Sequence, residues 1–463
     1  MKGADKMTLS SKEQKALKFF WQKRLKLSTP NIDARTGIDK NQIDYLTEQH
    51  IVRESHPHYP RLLVAAHEAN NVYNQGLYRV RQALFKHQWL SCQDLWKSFK
   101  ASADQRDSMI KNKIGNANVT QQILKVVAHN MTAWNQARKA YQRNSHRFTG
   151  YPRLPKYRTK GGLFTLYISN QTAKLRANGV VEIPFLDHFK IKLQHTETSK
   201  LQIVRIVPKH HHFLVEVVYQ TSHKISYKPD NHRYLGIDPG VNNAFSLISN
   251  VKDFQPLIIN GRPLKSVNHF YNKRRSQLYS IQAQLHQPHQ SRQLSRLEFY
   301  RYLKITRFAH EASKRIVDIA LSHALNTIVI GKNKQWKTNL NLDKKTNQNF
   351  VGIPHQSMIN MIKYKANLAG IVVIEQNESY TSQTSFLDHE RPVNANGNQA
   401  RKRKGLSPHN RRLKRGLFKS NHDILINADI NGAYQILRKA VPNAYVEGIQ
   451  GSGLTPVKVN LNF

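Results

Sequence analysis

The chain has 463 residues, enough for two or three domains, and 39% of them are hydrophobic, which permits real cores. Its 72 Lys and Arg against 29 Asp and Glu leave a formal net charge of +43 and a sequence pI near 10.3; such a load repels itself unless a polyanion neutralises it, so composition alone points to a nucleic-acid binder. No run approaches the roughly 18 to 20 apolar residues of a spanning helix. No apolar stretch follows the basic N-terminus as a signal peptide requires, and the single cysteine, Cys92, excludes an internal disulfide framework and a cysteine-based zinc ribbon.

In chain order, residues 8 to 27 carry Leu17, Phe20, Trp21 and Leu25 at helical spacing. Thr29 and Pro30 cap a second short helix, Gly37 ends it, and Lys40 to Leu46 forms another. Helix, turn, helix is a shape used by DNA-binding modules and equally by any small helical appendage. From Arg61 to Phe85 the residues Leu62, Ala66, Val72, Tyr73, Leu77, Val80 and Leu84 keep a helical period, and Val119 to Tyr141 does the same through Ile123, Val127, Met131 and Trp134. These two helices are expected to form a lobe whose apolar stripes are core and whose polar faces, with Asn70, Asn71, Asn74, Arg79 and Arg81, are candidates for contact with nucleic-acid backbone. After the stretch Phe148 to Arg158 the period shortens. Alternating runs at Val180 to Phe185, Phe189 to Leu193, Leu201 to Val207 and Phe213 to Tyr219 predict a small antiparallel barrel, joined by a strand near Ile43. His210, His211 and His212 fall in the last hairpin turn; three consecutive histidines cannot share one face at metal-ligand spacing, so they read as a solvated turn.

At Tyr234 an apolar run begins that ends on Asp238, after which Pro239, Gly240, Asn242 and Asn243 turn the chain into a second apolar run, Ala244 to Ile248. Asp238 is the one acid there. Carboxylates at strand ends hold hard divalent cations in enzymes that cut phosphodiesters, although an ordinary Asp-Pro-Gly turn reads the same way in isolation. A third strand lies near Ile258. A basic helical segment from Val267 to Leu325 follows, and its Arg274, Arg275, Arg301 and Lys304 are expected to face a duplex. Thr327 to Gly331, a helix from Pro354 to Ala369 and Ile371 to Ile374 make a strand, helix, strand crossover of a mixed sheet. A tract rich in Gly, Asn and cations comes next, with Arg401, Lys402, Arg403, Lys404, Arg411, Arg412, Lys414 and Arg415, and is expected to clamp on phosphate. Finally Asp429 opens a helix whose Ile430, Ala433, Tyr434 and Leu437 share one face, which leaves its carboxylate pointing away from the buried stripe.

Together the stretches Tyr234 to Asn243 and Ile426 to Leu437 resemble the first and third motifs of RuvC-type nucleases of the RNase H-like fold, in the form found in the transposon-encoded TnpB (OrfB) family, relatives of the type V CRISPR effectors. Asn260 to Lys265, His310 to Ser313, Ile328 to Lys337, Asn347 to Phe350 and Glu378 to Ser382 also look like family signatures. The resemblance covers the chain from about Ile43 onward.

It implies an α/β, multidomain architecture: an RNase H-like (RuvC) nuclease domain over 231–388 and 420–442, and a β-barrel wedge domain over 41–58 and 143–230. The wedge is interrupted by a helical recognition lobe at 59–142. The remaining pieces are an N-terminal helical extension at 1–40, a basic insert at 389–419 and a C-terminal tail at 443–463. The implied activity is RNA-guided, Mg²⁺-dependent DNA cleavage next to a short target motif, with a two-metal site, a guide RNA from the transposon end and target DNA as partners. The implied setting is the prokaryotic cytoplasm, close to the nucleoid and away from any membrane. Lys337 joins the residues expected to contact nucleic acid.

The sequence departs from that family in two places. The cysteines of the family's zinc ribbon are missing, so no zinc is expected. The second motif usually ends its strand in glutamate, but here Gly331 holds that position. Glu378, in the family-like stretch after the next strand, is therefore expected to be the third ligand with Asp238 and Asp429; Glu375, closer to the apolar run, is its competitor, and a solvated loop glutamate is the bland alternative. A nuclease-inactive, repressor-like RNA-guided DNA-binding protein is the rival function, and a DNA-joining transposase a weaker third.

Overall fold

The chain packs as two compact units, one of Asp44–His223 and one of Met1–Ile43 with Lys224–Phe463. The structure, a computed structural model, describes residues 11–28, 45–101, 114–194, 198–209, 211–221, 226–286, 291–332, 348, 351–379, 381–390, 412–414, 416–445, 449 and 451–463. The helix expected after Pro30, Lys337 and most of the basic insert lie outside these residues, as does the helix expected over Lys40 to Leu46 except for its end, where Tyr45 and Leu46 belong to a strand. Among the described residues no helix is long and apolar enough to cross a membrane.

The first helix, α1 (Ser11–Ser28), belongs to the second unit. The first unit begins with β1 (Tyr45–Arg53), followed by α2 (Tyr59–Phe85), α3 (Cys92–Lys100) and α4 (Ala117–Arg143). Then come β2 (Leu166–Ser169), β3 (Lys174–Leu175), β4 (Val180–Ile183), β5 (Phe189–Lys192), β6 (Thr198–Lys209) and β7 (His212–Thr221). The strands predicted as a barrel form two antiparallel sheets, ordered β1-β7-β6-β2 and β3-β4-β5. β1 runs against β7 from the pair Tyr45–Gln220 to the pair Arg53–His212.

Helices and sheets share one core, in which Leu62, Leu77, Ile123 and Met131 are buried together with Val204, Phe213 and Val215. Gly76 permits the close crossing of α2 and α4, since a Cβ there would stand 2.6 Å from Leu124 Cδ2. The sequence reading omits α3. Its start is marked by a capping box, in which Asp94 N–H donates to Ser91 Oγ and Ser91 N–H to Asp94 Oδ2. Of the three histidines, His211 stands in the β6–β7 turn at φ +60° facing Glu54, His212 is buried at the start of β7, and His210 lies outside the described residues.

The second unit is built on a mixed sheet. β8 (Tyr234–Pro239), β9 (Asn243–Ser249) and β10 (Leu257–Asn260) form an antiparallel meander. β11 (Thr327–Gly331) and β12 (Val372–Gln376) continue it parallel to β8, on the side away from β9. The predicted basic helical segment is two helices, α5 (Arg262–Gln284) and α6 (Arg292–Ser322). Between β11 and β12 lies α7 (His355–Leu368). A small sheet of β13 (Arg412–Lys414), β14 (Leu417–Lys419) and β15 (Leu425–Asn427) leads into α8 (Ala428–Ala440). β16 (Val457–Val459) comes from the segment read as a tail and closes the sheet parallel to β10.

Strand side chains alternate between faces, and that alternation assigns each face its cover. Leu235, Ile237, Ile328, Ile330 and Val373 pack with α6 and α7. Tyr234, Ile248, Val329, Val372 and Ile374 pack with α8 and with Phe20 of α1. Helix α1 is also tied by polar groups, Arg24 donating to Thr327 Oγ1 (3.1 Å) and to Lys228 O (2.9 Å).

Candidate active site

The alternation that buries Leu235 and Ile237 under α6 and α7 turns Gly236 and Asp238 toward α8. Gly236 sets how close that helix comes: a Cβ there would lie 2.5 Å from Ile248 Cδ1 and 3.0 Å from Leu437 Cβ. At the end of β8, half-buried Asp238 meets α8 at Gly432, where a Cβ would stand 2.7 Å from Asp238 Oδ2.

Helix α8 begins one turn earlier. Asn427 caps it by accepting from the N–H groups of Asp429 (3.0 Å) and Ile430 (3.2 Å). Asp429 therefore lies in the first turn, where the helix dipole favours a carboxylate. It is three residues before Gly432 and so shares its face. From the start of β9, Asn243 Nδ2 donates to Asp429 Oδ2 at 2.6 Å.

The third acid arrives by a different route. The parallel register sets Ile330 beside Ile237, so Gly331 follows beside Asp238. Gly331 has no side chain, and the space is taken by others: a Cβ there would stand 2.9 Å from Glu378 Oε2 and 2.5 Å from Ile436 Cδ1. The Glu378 carboxylate thus occupies the room that a side chain at the end of β11 would fill. Lys439 holds its loop by donating to Ser379 O (3.1 Å) and Asn377 Oδ1 (3.4 Å), and Thr381 donates through N–H and Oγ1 to Glu378 O (3.1 and 2.7 Å). Burial lowers the pKa of Lys439, and the Glu378 charge offsets part of that. Ile436 is one helical turn beyond Gly432, about 6 Å along the axis, and it faces Gly331, the position beside which the Glu378 carboxylate lies. Among the described residues no group of three or more His, Cys, Asp or Glu side chains is placed so that it could hold a metal ion. The donor set is nonetheless all oxygen, which suits Mg²⁺, and two glycines clear space for two of its carboxylates.

Glu375 is directed elsewhere. It alternates with Ile374 and so lies on the α7 face, where its carboxylate takes Lys332 Nζ at 2.9 Å and Lys363 Nζ at 2.6 Å. Burial pushes its pKa up, and the hydrogen bonds and charges of Lys363 and Lys332 more than reverse this, leaving it below the usual glutamate value. Such pairing contributes stability above the ordinary glutamate pKa and loses it as pH falls through the depressed folded value. Glu375→Gln is therefore expected to cost about 1 kcal/mol of stability or less, the scale of a part-exposed ion pair, and to leave metal-dependent cutting within a few-fold of wild type. Thermal melts and a cleavage time course check both halves.

Two segments match protein families. Residues 212–337 match the OrfB_IS605 model, described as a probable transposase, and residues 355–436 match the Cas12f1-like TNB domain. Both segments are thus similar to TnpB- and Cas12f-related families. Asp238 and Gly331 fall in the first matched segment, Glu378 and Asp429 in the second.

Among solved structures, one described as a Cas12f1–sgRNA–target DNA complex is similar at 14% identity over 84% of this chain and 98% of that chain, with a TM-score of 0.33. A CRISPR–Cas12f ternary complex is similar at 15% identity over 81% of each chain, with a TM-score of 0.35. No curated protein matches the chain.

The cations expected to meet nucleic acid divide by environment. Arg274 and Arg275 are exposed on α5, the latter 4.9 Å over the Tyr279 ring. Arg301 is engaged within the protein, donating to Asn268 Oδ1 (2.7 Å) and Gly352 O (2.9 Å), and Lys304 donates to Phe463 O (3.0 Å). Arg412 and Lys414 lie on β13; Arg401 to Lys404, Arg411, Arg415 and Lys337 fall outside the described residues. Sequence reasoning missed Asn243, Gly432 and Lys439. Asn243 and Gly432 lay inside the quoted motifs, but only contact with an acid gives them a role.

Proposed function

We propose that the chain is an RNA-guided DNA endonuclease of transposon origin with an RNase H-like catalytic domain, cutting by divalent-metal-dependent hydrolysis. One observation carries this reading: Glu378 lies where the strand beside Asp238 lacks its acid, and Asp429 reaches the same helix side. The strand order supports the RNase H-like assignment, because an antiparallel meander is followed by two parallel strands and the first strand is central. Carboxyl ends of parallel strands are where such sheets open a cleft.

Asp238, Glu378 and Asp429 would hold Mg²⁺, which when bound supplies charge stabilisation at the scissile phosphate and an activated water. The chain's own groups prepare that set. Asn243 fixes one oxygen of Asp429 and leaves the other for ligation. Gly432 leaves Asp238 its position, and Lys439 holds the Glu378 loop. Sequence choice would come from base pairing with the guide, and backbone grip from the protein's cations, including those of the 401–415 tract. The binding-only alternative draws on the missing acid at Gly331, and the closeness of Glu378 to that position is what favours cutting over it.

The guided reading is tested by sequencing RNA that co-purifies with the protein and by measuring affinity against salt. A structured RNA is expected to be enriched. If about six to ten phosphates are neutralised, binding should weaken by about a thousandfold or more between low and physiological salt. RNA-free protein that cuts DNA with unchanged sequence preference would remove the guide from the account.

A further inference from the structure

The stretch Phe148 to Arg158 marks the change from helices to strands, and nothing in the catalytic reading uses it. Its middle has no regular secondary structure, yet its backbone is fixed. On α2, Asn74 grips Arg158 at two points, accepting from its N–H (2.8 Å) and donating to its C=O (3.1 Å). Asn70 donates to Thr159 O (3.0 Å), and Trp134 Nε1 of α4 donates to Pro152 O (3.1 Å). Asn70 and Asn74, which the sequence offered as backbone contacts for nucleic acid, hold this loop instead.

The fixed loop presents aromatic rings to solvent. Tyr151 is 56% exposed and Tyr157 45%. Tyr151 stands edge-on to Tyr141, 5.3 Å between centroids, and Tyr157 has the Arg81 guanidinium over its ring at 4.9 Å. Exposed Arg147, Arg153 and Lys156 lie among them. The chain has no Asp or Glu between Asp107 and Glu182, so nothing acidic from this segment opposes those cations. Rings held rigidly in a cationic surface have already lost the freedom that binding would otherwise cost them.

We propose that this loop binds an unpaired stretch of RNA, with bases stacked on Tyr151 and Tyr157 and phosphates on the neighbouring cations. Stacking needs base faces that a duplex conceals. Two phenol hydroxyls at the rim give the 2′-hydroxyls of RNA partners that DNA does not offer. The inference rests on the RNA half of the proposed function and is independent of cutting.

The test uses full-length protein freed of nucleic acid and a fluorescent single-stranded RNA of about ten nucleotides, within the span such sites cover. Titrations are run at a salt concentration that suppresses diffuse charge binding. The Tyr151→Ala, Tyr157→Ala double variant is expected to bind this RNA about tenfold or more weakly, with duplex RNA binding and the melting temperature unchanged. The corresponding double Phe variant should keep the stacking and lose the preference over DNA of the same sequence. Ultraviolet crosslinks from a 5-bromouridine version should map to peptides carrying Tyr151 or Tyr157. Unchanged binding in the Ala variant, equal weakening of duplex binding, or crosslinks confined elsewhere would overturn the proposal. Tighter binding of the DNA strand would overturn RNA as the occupant. Wild-type protein that binds no RNA would overturn the guided reading itself.

Discussion

Glu378→Gln is expected to abolish Mg²⁺-dependent DNA cutting while binding of RNA and target DNA stays within a few-fold. The substitution keeps side-chain shape and removes the charge of the acid lying against Gly331. Loss of one carboxylate from such a set forfeits several kcal/mol of transition-state stabilisation, about a thousandfold in rate. Asp238→Asn and Asp429→Asn should have the same effect, and no pair of these changes should be worse than one, because the residues act as a unit. Contrast with Glu375→Gln makes the result specific: both glutamates follow the same apolar run, but strand alternation sends Glu375 to its two lysines on the opposite face. Full cutting by the Glu378 variant would return that residue to an ordinary loop acid.

A second large effect is expected from one added methyl. Gly432 lies in the interior of α8, where alanine ordinarily improves a helix by about 1 kcal/mol. At this position the new Cβ would stand 2.7 Å from Asp238 Oδ2. The carboxylate is the free end of its side chain, so it moves and the backbone does not. Gly432→Ala should therefore fold at least as stably as wild type and cut DNA about 10- to 100-fold more slowly, the penalty for displacing a reacting group by a fraction of an ångström. Chemical denaturation alongside single-turnover cleavage separates the two properties. A slow variant that is also unstable would point to general disruption of the helix, and unchanged cutting would place Asp238 outside the site.

Much of this was legible in the sequence where a periodic pattern had one interpretation. The long helices, the strands around Asp238 and the crossover through α7 follow from apolar spacing, and Asp429 could be placed in a first helical turn from its neighbours alone. Other features depend on tertiary contact. The predicted barrel strands pair as two sheets, with β1 running along nearly the whole of β7, a register that no local signal encodes. The break between α5 and α6 falls in a polar stretch that leaves the helical period of its flanks intact. Three residues of β16 are too few to carry a period, and their partner β10 is distant in sequence. At the site, Gly331 advertised a missing acid. Glu378 could be proposed as its replacement from the sequence, whereas the closeness of the Glu378 carboxylate to the empty side-chain position could only be seen in the folded chain. Asn243 looked like a turn residue until its amide reached Asp429.

The central claim is that this chain cuts, and the most direct measurement follows a matched DNA duplex incubated with the purified protein and its co-purified RNA, with Mg²⁺ or with chelator. The account predicts a defined double-strand cut that requires Mg²⁺, moves when the guide segment of the RNA is rewritten, and disappears in Glu378→Gln. Wild-type complex that binds the matched duplex tightly and leaves it intact at every Mg²⁺ concentration would contradict the account and establish the binding-only alternative.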